Sequence, residues 1–196
     1  MSIVAVVSAH GSPGATTTAV MLAAAWPPGR GCVLVEADPF GGVLVARFSL
    51  TDRPGVASLA AASRHGHSPS APIDEHFQEL PGGVRVLIGP SSPVEAASAI
   101  TGAADVLSRW AGREDVDLIV DGGRIIPSNT HPIVAGADVG LMVVRPDLDQ
   151  LRPAVAATHN LAPLDVGLVL VGDRPYSAGE IAKTFERLEP EVRMFV

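Results

Sequence analysis

Short apolar segments recur along the chain, and most are apolar at every position rather than at alternate positions. Six of them are rich in valine, isoleucine and leucine, and a further candidate closes the sequence: residues 3–7, 32–36, 84–89, 117–121, 139–144, 166–171 and 192–196. A strand that is apolar on both faces is typical of a parallel sheet covered by helices on both sides. We therefore predict strands at these seven segments.

Segments of helical character separate the predicted strands. We predict helices over residues 16–25, 55–63, 94–110, 148–161 and 177–188. Strands that alternate with helices are typical of a doubly wound α/β fold, in which helices flank a mainly parallel sheet. The segment 63–76 is rich in serine, proline, histidine and glycine, which indicates a surface loop. The length of 196 residues suits a single domain that spans residues 1–196.

Composition and charge argue against several classes of function. The net charge is −7, and the 14 basic residues include one lysine, so we expect no nucleic-acid partner. The first residues lack the basic region of a signal peptide, and the last residues carry more acid than base, so we expect no direct membrane anchor. A single cysteine, Cys32, suits a reducing compartment, and we expect a cytoplasmic protein.

Glycines and charged residues follow nearly every predicted strand at its carboxyl end, which is where open α/β sheets bind ligands. The first strand leads into HGSPGATTT, residues 10–18, and then into a predicted helix. Such a glycine-containing turn before a helix is typical of a loop that binds phosphate through backbone N–H groups. Later strand ends supply two aspartates and three arginines: Asp38, Asp121, Arg124, Arg145 and Arg174. We therefore predict a ligand site at this edge of the sheet.

Five segments resemble, in order and spacing, the ParA/MinD family of P-loop ATPases, whose deviant Walker A loop reads K-G-G-x-G-K-[ST]-T. These segments are HGSPGATTT, VLVEADPFGG, DLIVDGG, ADVGLMVVRP and VGLVLVGDRP. The resemblance covers almost the whole chain. Within the family, the chain most resembles the short MinD-like proteins of the CpaE/TadZ type, which place pilus and secretion machinery. The resemblance implies a P-loop NTPase-like fold, ATP and magnesium as ligands, and a homodimer whose subunits meet across their nucleotide loops.

The resemblance also assigns the nucleotide-binding loop residue by residue. Its positions are His10, Gly11, Ser12, Pro13, Gly14, Ala15, Thr16 and Thr17. Both family lysines are missing, because Ala15 stands where one lysine reaches the phosphates and His10 where the other crosses to the partner subunit. Backbone N–H groups at a helix start still attract an anion. We therefore expect weak binding of ATP and magnesium, and little turnover, since losing one preorganised donor costs about 10²- to 10³-fold in rate.

The acidic positions fit the family pattern better than the loop does. Asp38 matches the aspartate that helps to position the attacking water, and it is the candidate catalytic residue if the protein is active. Asp121 matches the Walker B carboxylate that holds Mg²⁺ through water, with Thr16 as the direct hydroxyl ligand. Each residue also has an ordinary structural interpretation, because either aspartate can begin a turn and Thr16 can cap a helix.

The three arginines at strand ends have two interpretations. Arg124, Arg145 and Arg174 are possible phosphate contacts, because a guanidinium group holds phosphate through two hydrogen bonds. They are alternatively solvated side chains paired with the nearby Asp147 or Asp173. Under the first interpretation, the arginines provide the positive charge that the loop lacks. Under the second, the site has no such charge.

Two functions follow from these residues. The first is a ParA/MinD-like protein with a degenerate loop, a non-catalytic or weakly catalytic pseudo-ATPase. Such a protein works as a dimerising scaffold and positions other cellular machinery through a protein partner. The alternative is an ATP-dependent switch ATPase, an ATP hydrolase in which arginines replace the P-loop lysines.

Overall fold

The structure is a computed structural model that describes residues 2–11, 13–64, 73–114, 116–125, 132–161, 164–188 and 193–195. Ser12 of the predicted loop and residues 65–72 of the predicted surface loop lie outside the described residues. The strands are β1 (Ile3–Ser8), β2 (Cys32–Glu36), β3 (Gln78–Leu80), β4 (Val84–Leu87), β5 (Asp117–Arg124), β6 (Val139–Val144), β7 (Asp165–Leu170) and β8 (Arg193–Phe195).

Helices and one short 3-10 helix connect these strands. The helices are α1 (Ala15–Ala24), α2 (Leu44–Phe48), α3 (Val56–Arg64), α4 (Pro93–Glu114), α5 (Pro132–Ala135), α6 (Leu148–Asn160) and α7 (Ala178–Leu188), and the 3-10 helix is Ile73–His76. Among the helices that the structure describes, none is long and apolar enough to cross a lipid bilayer.

One sheet contains the eight described strands, in the order β3-β4-β2-β5-β1-β6-β7-β8. β3 pairs antiparallel with β4, whereas the other pairs are parallel. β1 lies in the interior between β5 and β6, and the chain crosses over to reach strands on both sides of it. This arrangement confirms the predicted doubly wound α/β fold with a mainly parallel sheet.

Apolar packing covers both faces of the sheet, which explains why the strands are apolar at every position. Along β1, Ile3, Ala5 and Val7 pack on one face, where α3 to α7 contribute their buried side chains. Val4 and Val6 point to the opposite face and pack with buried residues of α1 and α2. The side chains of a strand alternate between its two faces, so a strand buried on both must be apolar throughout.

Four elements were not predicted from the sequence: α2, the 3-10 helix, β3 and α5. Each contains three to five residues, which is too short for a helical or strand period to be visible. β5 is also longer than predicted, because it continues through two glycines to Arg124. Its register with β1 shifts between Val6 and Val7, so that Gly122 is passed over as a bulge. The polar end of β5 is therefore part of the sheet itself.

Candidate functional site

The residues predicted to bind phosphate lie between β1 and α1 and in the first turn of α1, with Ser12 outside the described residues. α1 begins at Ala15, and its N-cap residue Gly14 has a φ of 110°, a backbone conformation that glycine adopts without strain. No side chain caps this end of the helix. The backbone N–H groups of the first turn are therefore available to hydrogen-bond a ligand. Anions commonly bind to such N–H groups at the start of a helix.

The loop lines a cavity of about 510 Å³, a volume typical of sites for small molecules. Its lining residues come from the loop, α1, α2 and four strand ends: Ser8, Gly11, Pro13, Gly14, Ala15, Thr16, Thr17, Asp38, Phe40, Val43, Arg47, Gly123, Arg124 and Arg145. The structure thus brings most of the predicted loop together with Asp38 and two of the three predicted arginines. His10, Asp121 and Arg174 are not among the lining residues, and Arg174 is exposed in the segment after β7.

Ala15 occupies the position at which a loop lysine was expected from the family pattern. Its side chain is buried and belongs to the apolar cluster that α1 forms with the sheet, together with Ala19 and Ala23. These small side chains allow α1 to pack closely on the sheet. The start of α1 consequently brings no cation of its own to the cavity.

Asp121 is a buried carboxylate that its surroundings satisfy only in part. Burial raises the pKa of Asp121 to about 7; the neighbouring Thr16 side chain and the Gly123 N–H oppose this shift, and the charges of Glu36 and Asp38 add to it. Oδ1 accepts a hydrogen bond from Gly123 at 3.2 Å, whereas Oδ2 is buried without a described partner. A carboxylate oxygen without a donor, next to a threonine hydroxyl, fits Mg²⁺, which prefers oxygen ligands.

Asp38 lies beside the end of β5, facing the cavity. Its Oδ1 accepts the N–H of Phe40 at 2.8 Å, so the predicted turn is present and the carboxylate also lines the cavity. Burial raises the pKa of Asp38, although the Phe40 N–H and the charge of Arg124 oppose that shift. Gly123 has a φ of 59°, and a Cβ at this position would overlap the Asp38 carboxyl group. Glycine at 123 therefore makes the close approach of Asp38 possible.

Glu36 is a buried carboxylate with a structural role that the sequence did not reveal. Its side chain accepts three backbone N–H groups, from Val43 at 2.6 Å, Leu44 at 2.9 Å and Gly89 at 2.9 Å. Burial raises the pKa of Glu36, and the three N–H donors oppose the shift. Glu36 thereby fixes the start of α2 against the ends of β2 and β4.

Three arginines contribute the basic side chains of the cavity lining. Arg124 stacks on Phe40, with its guanidinium carbon 4.4 Å from the ring centroid, and Arg145 follows β6. Arg47 of α2 donates from Nη1 to Thr17 Oγ1 at 3.2 Å. Arg47 is not apparent from the sequence, because it does not directly follow a strand and lies in a helix too short to predict.

The alternative pairing of the arginines with nearby aspartates is not seen among the described residues. None of the ion pairs found there involves Arg124, Arg145 or Arg174. Asp147 instead caps α6, where its side chain accepts the Gln150 N–H at 2.9 Å. Thr16 does not cap α1, because Gly14 holds that position.

A different buried carboxylate, Asp117, lies at the opposite end of β5 and is fully hydrogen-bonded. It accepts the Ser2 N–H at 2.7 Å, the Trp26 Nε1–H at 3.0 Å and two N–H groups of Arg30 at 2.7 and 2.8 Å. Burial would raise the pKa of Asp117, but the hydrogen bonds from Arg30, Trp26 and Ser2 outweigh it and hold the pKa low. These contacts tie the segment after α1, and the residue before β1, to the start of β5.

Comparison with known proteins supports the fold. No protein-family model matches the chain, and neither does any curated protein. A ParA family ATPase from Chlorobium tepidum matches with a TM-score of 0.74 and 18% identity, covering 98% of this chain and 82% of that one. Apo McdA from Cyanothece gives 0.72 and 15%, covering 100% and 84%. MinD from Pyrococcus horikoshii, complexed with Mg-ADP, gives 0.70 and 20%, covering 93% and 76%. The chain therefore has the fold of the ParA/MinD ATPases.

Proposed function

We propose that this protein is a ParA/MinD-like nucleotide-binding protein that holds Mg-ATP weakly and turns it over slowly or not at all. In this proposal it acts as a dimerising scaffold that positions other cellular machinery. One observation carries the proposal: Thr16 and Asp38 line the loop cavity and Asp121 lies next to Thr16, whereas a buried alanine stands where a lysine was expected.

The residues of the cavity have separable tasks in this proposal. The first-turn N–H groups of α1 hydrogen-bond phosphate oxygens, while Thr16 and Asp121 hold the Mg²⁺ that neutralises phosphate charge when it is bound. Asp38 lies at the cavity, where a carboxylate can orient water. The MinD structure that contains Mg-ADP supports this ligand class, since its fold is the one found here.

Wild-type protein is expected to bind Mg-ATP with a dissociation constant above about 100 µM, which corresponds to about −5.5 kcal/mol. Ala15→Lys is expected to tighten binding about 10- to 100-fold, because a charge-assisted hydrogen bond contributes about 1.5–3 kcal/mol. Calorimetric titration with Mg-ATP measures both values. Met21→Lys is the matched control, because it adds the same charge to an exposed position of α1. A wild-type dissociation constant in the low micromolar range would contradict the proposal of weak binding.

A homodimer that forms without ligand is expected in solution. In the family two loops face each other, and a loop without lysines lacks the like-charge repulsion that ATP otherwise neutralises. Ser12→Arg is expected to disrupt the dimer by restoring a charge on each loop, and Asp105→Arg on the exposed side of α4 serves as its control. Light scattering at about 100 µM protein tests the dimer, since wild-type protein with a monomer mass would refute it.

A second candidate, an active switch ATPase, is favoured by the presence of Arg47, Arg124 and Arg145 in one cavity lining. In that case the arginines replace the missing lysines in stabilising the phosphates during hydrolysis. Phosphate release from Mg-ATP separates the two functions. Release well above the no-enzyme background, abolished by Asp38→Asn, would favour the active switch.

A further inference from the structure

We infer that Arg47 binds the phosphate chain of the nucleotide and supplies, from α2, the cation that the loop does not contain. The inference rests on the proposed function, because it needs a polyphosphate in the loop cavity. It goes further by assigning the contact to a residue outside the loop and outside the strand ends.

The position of Arg47 is the first argument. Its Nη1 donates to Thr17 Oγ1 at 3.2 Å, and Thr17 lies in the first turn of α1, two positions after Ala15. Arg47 also lines the same cavity as Gly14 and Thr16. The guanidinium group thus lies beside the first turn of α1, at the uncapped helix start.

The lack of a carboxylate partner is the second argument. Within the described part of the chain, none of the ion pairs found involves Arg47, and its one described side-chain hydrogen bond goes to an uncharged hydroxyl. A guanidinium group has five N–H donors, so this bond leaves most of them available. An anion that enters the cavity meets these donors and those of Arg124 and Arg145.

The attachment of α2 is the third argument. Glu36 accepts the N–H groups of Val43 and Leu44, and Leu44 is fully buried. A buried carboxylate with several N–H partners holds the start of this five-residue helix in place. Arg47 therefore projects from a segment whose position is set before any ligand binds, which lowers the entropy that binding must overcome.

Arginine has the chemistry for this contact. Its planar group keeps its charge at all accessible pH values and can hydrogen-bond two phosphate oxygens at once, whereas lysine acts as a point charge. Arg47→Lys is therefore expected to recover part of the affinity that Arg47→Ala loses. If the contact required charge alone, Arg47→Lys would recover the affinity fully.

The test is calorimetric titration with sodium tripolyphosphate and with Mg-ATP, at about 50 mM salt so that screening is limited. Arg47→Ala is expected to weaken the binding of both ligands about 10-fold, as for loss of one charge-assisted contact at an open site. Arg109→Ala, at an exposed position on α4, is the matched control and is expected to leave both affinities unchanged. Arg47 is exposed, so Arg47→Gln offers a second variant with similar length and no charge.

Hydrogen exchange provides a readout that a purely structural role of Arg47 does not move. In the wild-type protein tripolyphosphate is expected to protect amides of both α1 and α2, and in Arg47→Ala at saturating ligand the protection of α2 is expected to be lost. Equal affinities in Arg47→Ala and Arg109→Ala would overturn the inference and leave the proposed function intact. If wild-type protein bound neither ligand at millimolar concentration, both would be overturned.

Discussion

Replacing Asp121 with asparagine is expected to stabilise the ligand-free protein at about pH 8 by about 2–4 kcal/mol. Burial raises the pKa of Asp121 to about 7 from an ordinary value of 3.8, and each pKa unit corresponds to about 1.36 kcal/mol. Above pH 7 the folded protein therefore carries a buried negative charge with one oxygen lacking a described partner. Asparagine has nearly the same shape and no charge.

The pH dependence provides the sign of this effect. Between about pH 4 and pH 7 folded Asp121 keeps a proton that the unfolded chain has released, so the free energy of unfolding falls as pH rises. Glu36 and Asp38 also have raised pKa values, and they contribute in the same direction. The free energy of unfolding of Asp121→Asn should therefore still decline as pH rises, but less steeply than that of the wild-type protein. Urea unfolding in EDTA over this range measures it, with the exposed Asp105→Asn as control.

An Asp121→Asn protein that is less stable than wild type at about pH 8 would contradict this account. The same substitution is expected to weaken Mg-ATP binding, because a neutral amide is a poorer partner for Mg²⁺ than a carboxylate. Asp121→Asn should thus raise the stability of the ligand-free protein and lower its affinity for Mg-ATP. Such a trade-off is common at sites that hold unsatisfied groups.

Asp117→Ala is expected to have the opposite effect and to lower the free energy of unfolding at neutral pH by about 3–5 kcal/mol. The substitution removes the acceptor of four hydrogen bonds from three residues, Ser2, Trp26 and Arg30. Asp117 is 1% exposed, so the loss occurs at a buried position and includes the small cavity left behind. Urea unfolding at constant m-value provides the measurement.

The dependence on pH again distinguishes the mechanism. The pKa of Asp117 lies below its ordinary value of 3.8, so its contribution is present above about pH 4 and is lost as pH falls through the folded pKa. Asp105→Ala on α4 is the exposed control and should change stability by less than about 0.5 kcal/mol. A cost below about 1 kcal/mol for Asp117→Ala at neutral pH would show that the hydrogen bonds contribute little net stability.

The sequence predicted the fold well because its strongest signal is physical and local. Strands buried on both faces must be apolar throughout, and residues 3–7 and 139–144 show this without interruption. Long helices between them predict crossovers and therefore a parallel sheet. The antiparallel β3 was missed, since three residues at an edge, with Gln78 and Glu79 outside the core, carry no such signal.

The sequence predicted the residues of the cavity lining that lie at strand ends, but not those that depend on tertiary packing. Asp38, Arg124 and Arg145 follow or end strands, and all three line the cavity. Arg47 reaches the cavity only because α2 folds back on the loop, and Glu36 holds α2 through backbone N–H groups that no residue pattern reveals. The partial satisfaction of Asp121 is likewise invisible in sequence, because it depends on which donors surround a single oxygen atom.

Asp117 and Asp121, the two aspartates of β5, differ in how their loss by random mutation is expected to change the stability of the protein. Loss of Asp117 is expected to lower the stability of the folded protein, so selection for stability alone suffices to keep it. Loss of Asp121 is expected to raise the stability of the ligand-free protein, so selection for stability alone does not keep it. Both loop lysines are missing from this chain while Asp121 is present. This combination is the one expected if the proposed nucleotide site still binds a ligand.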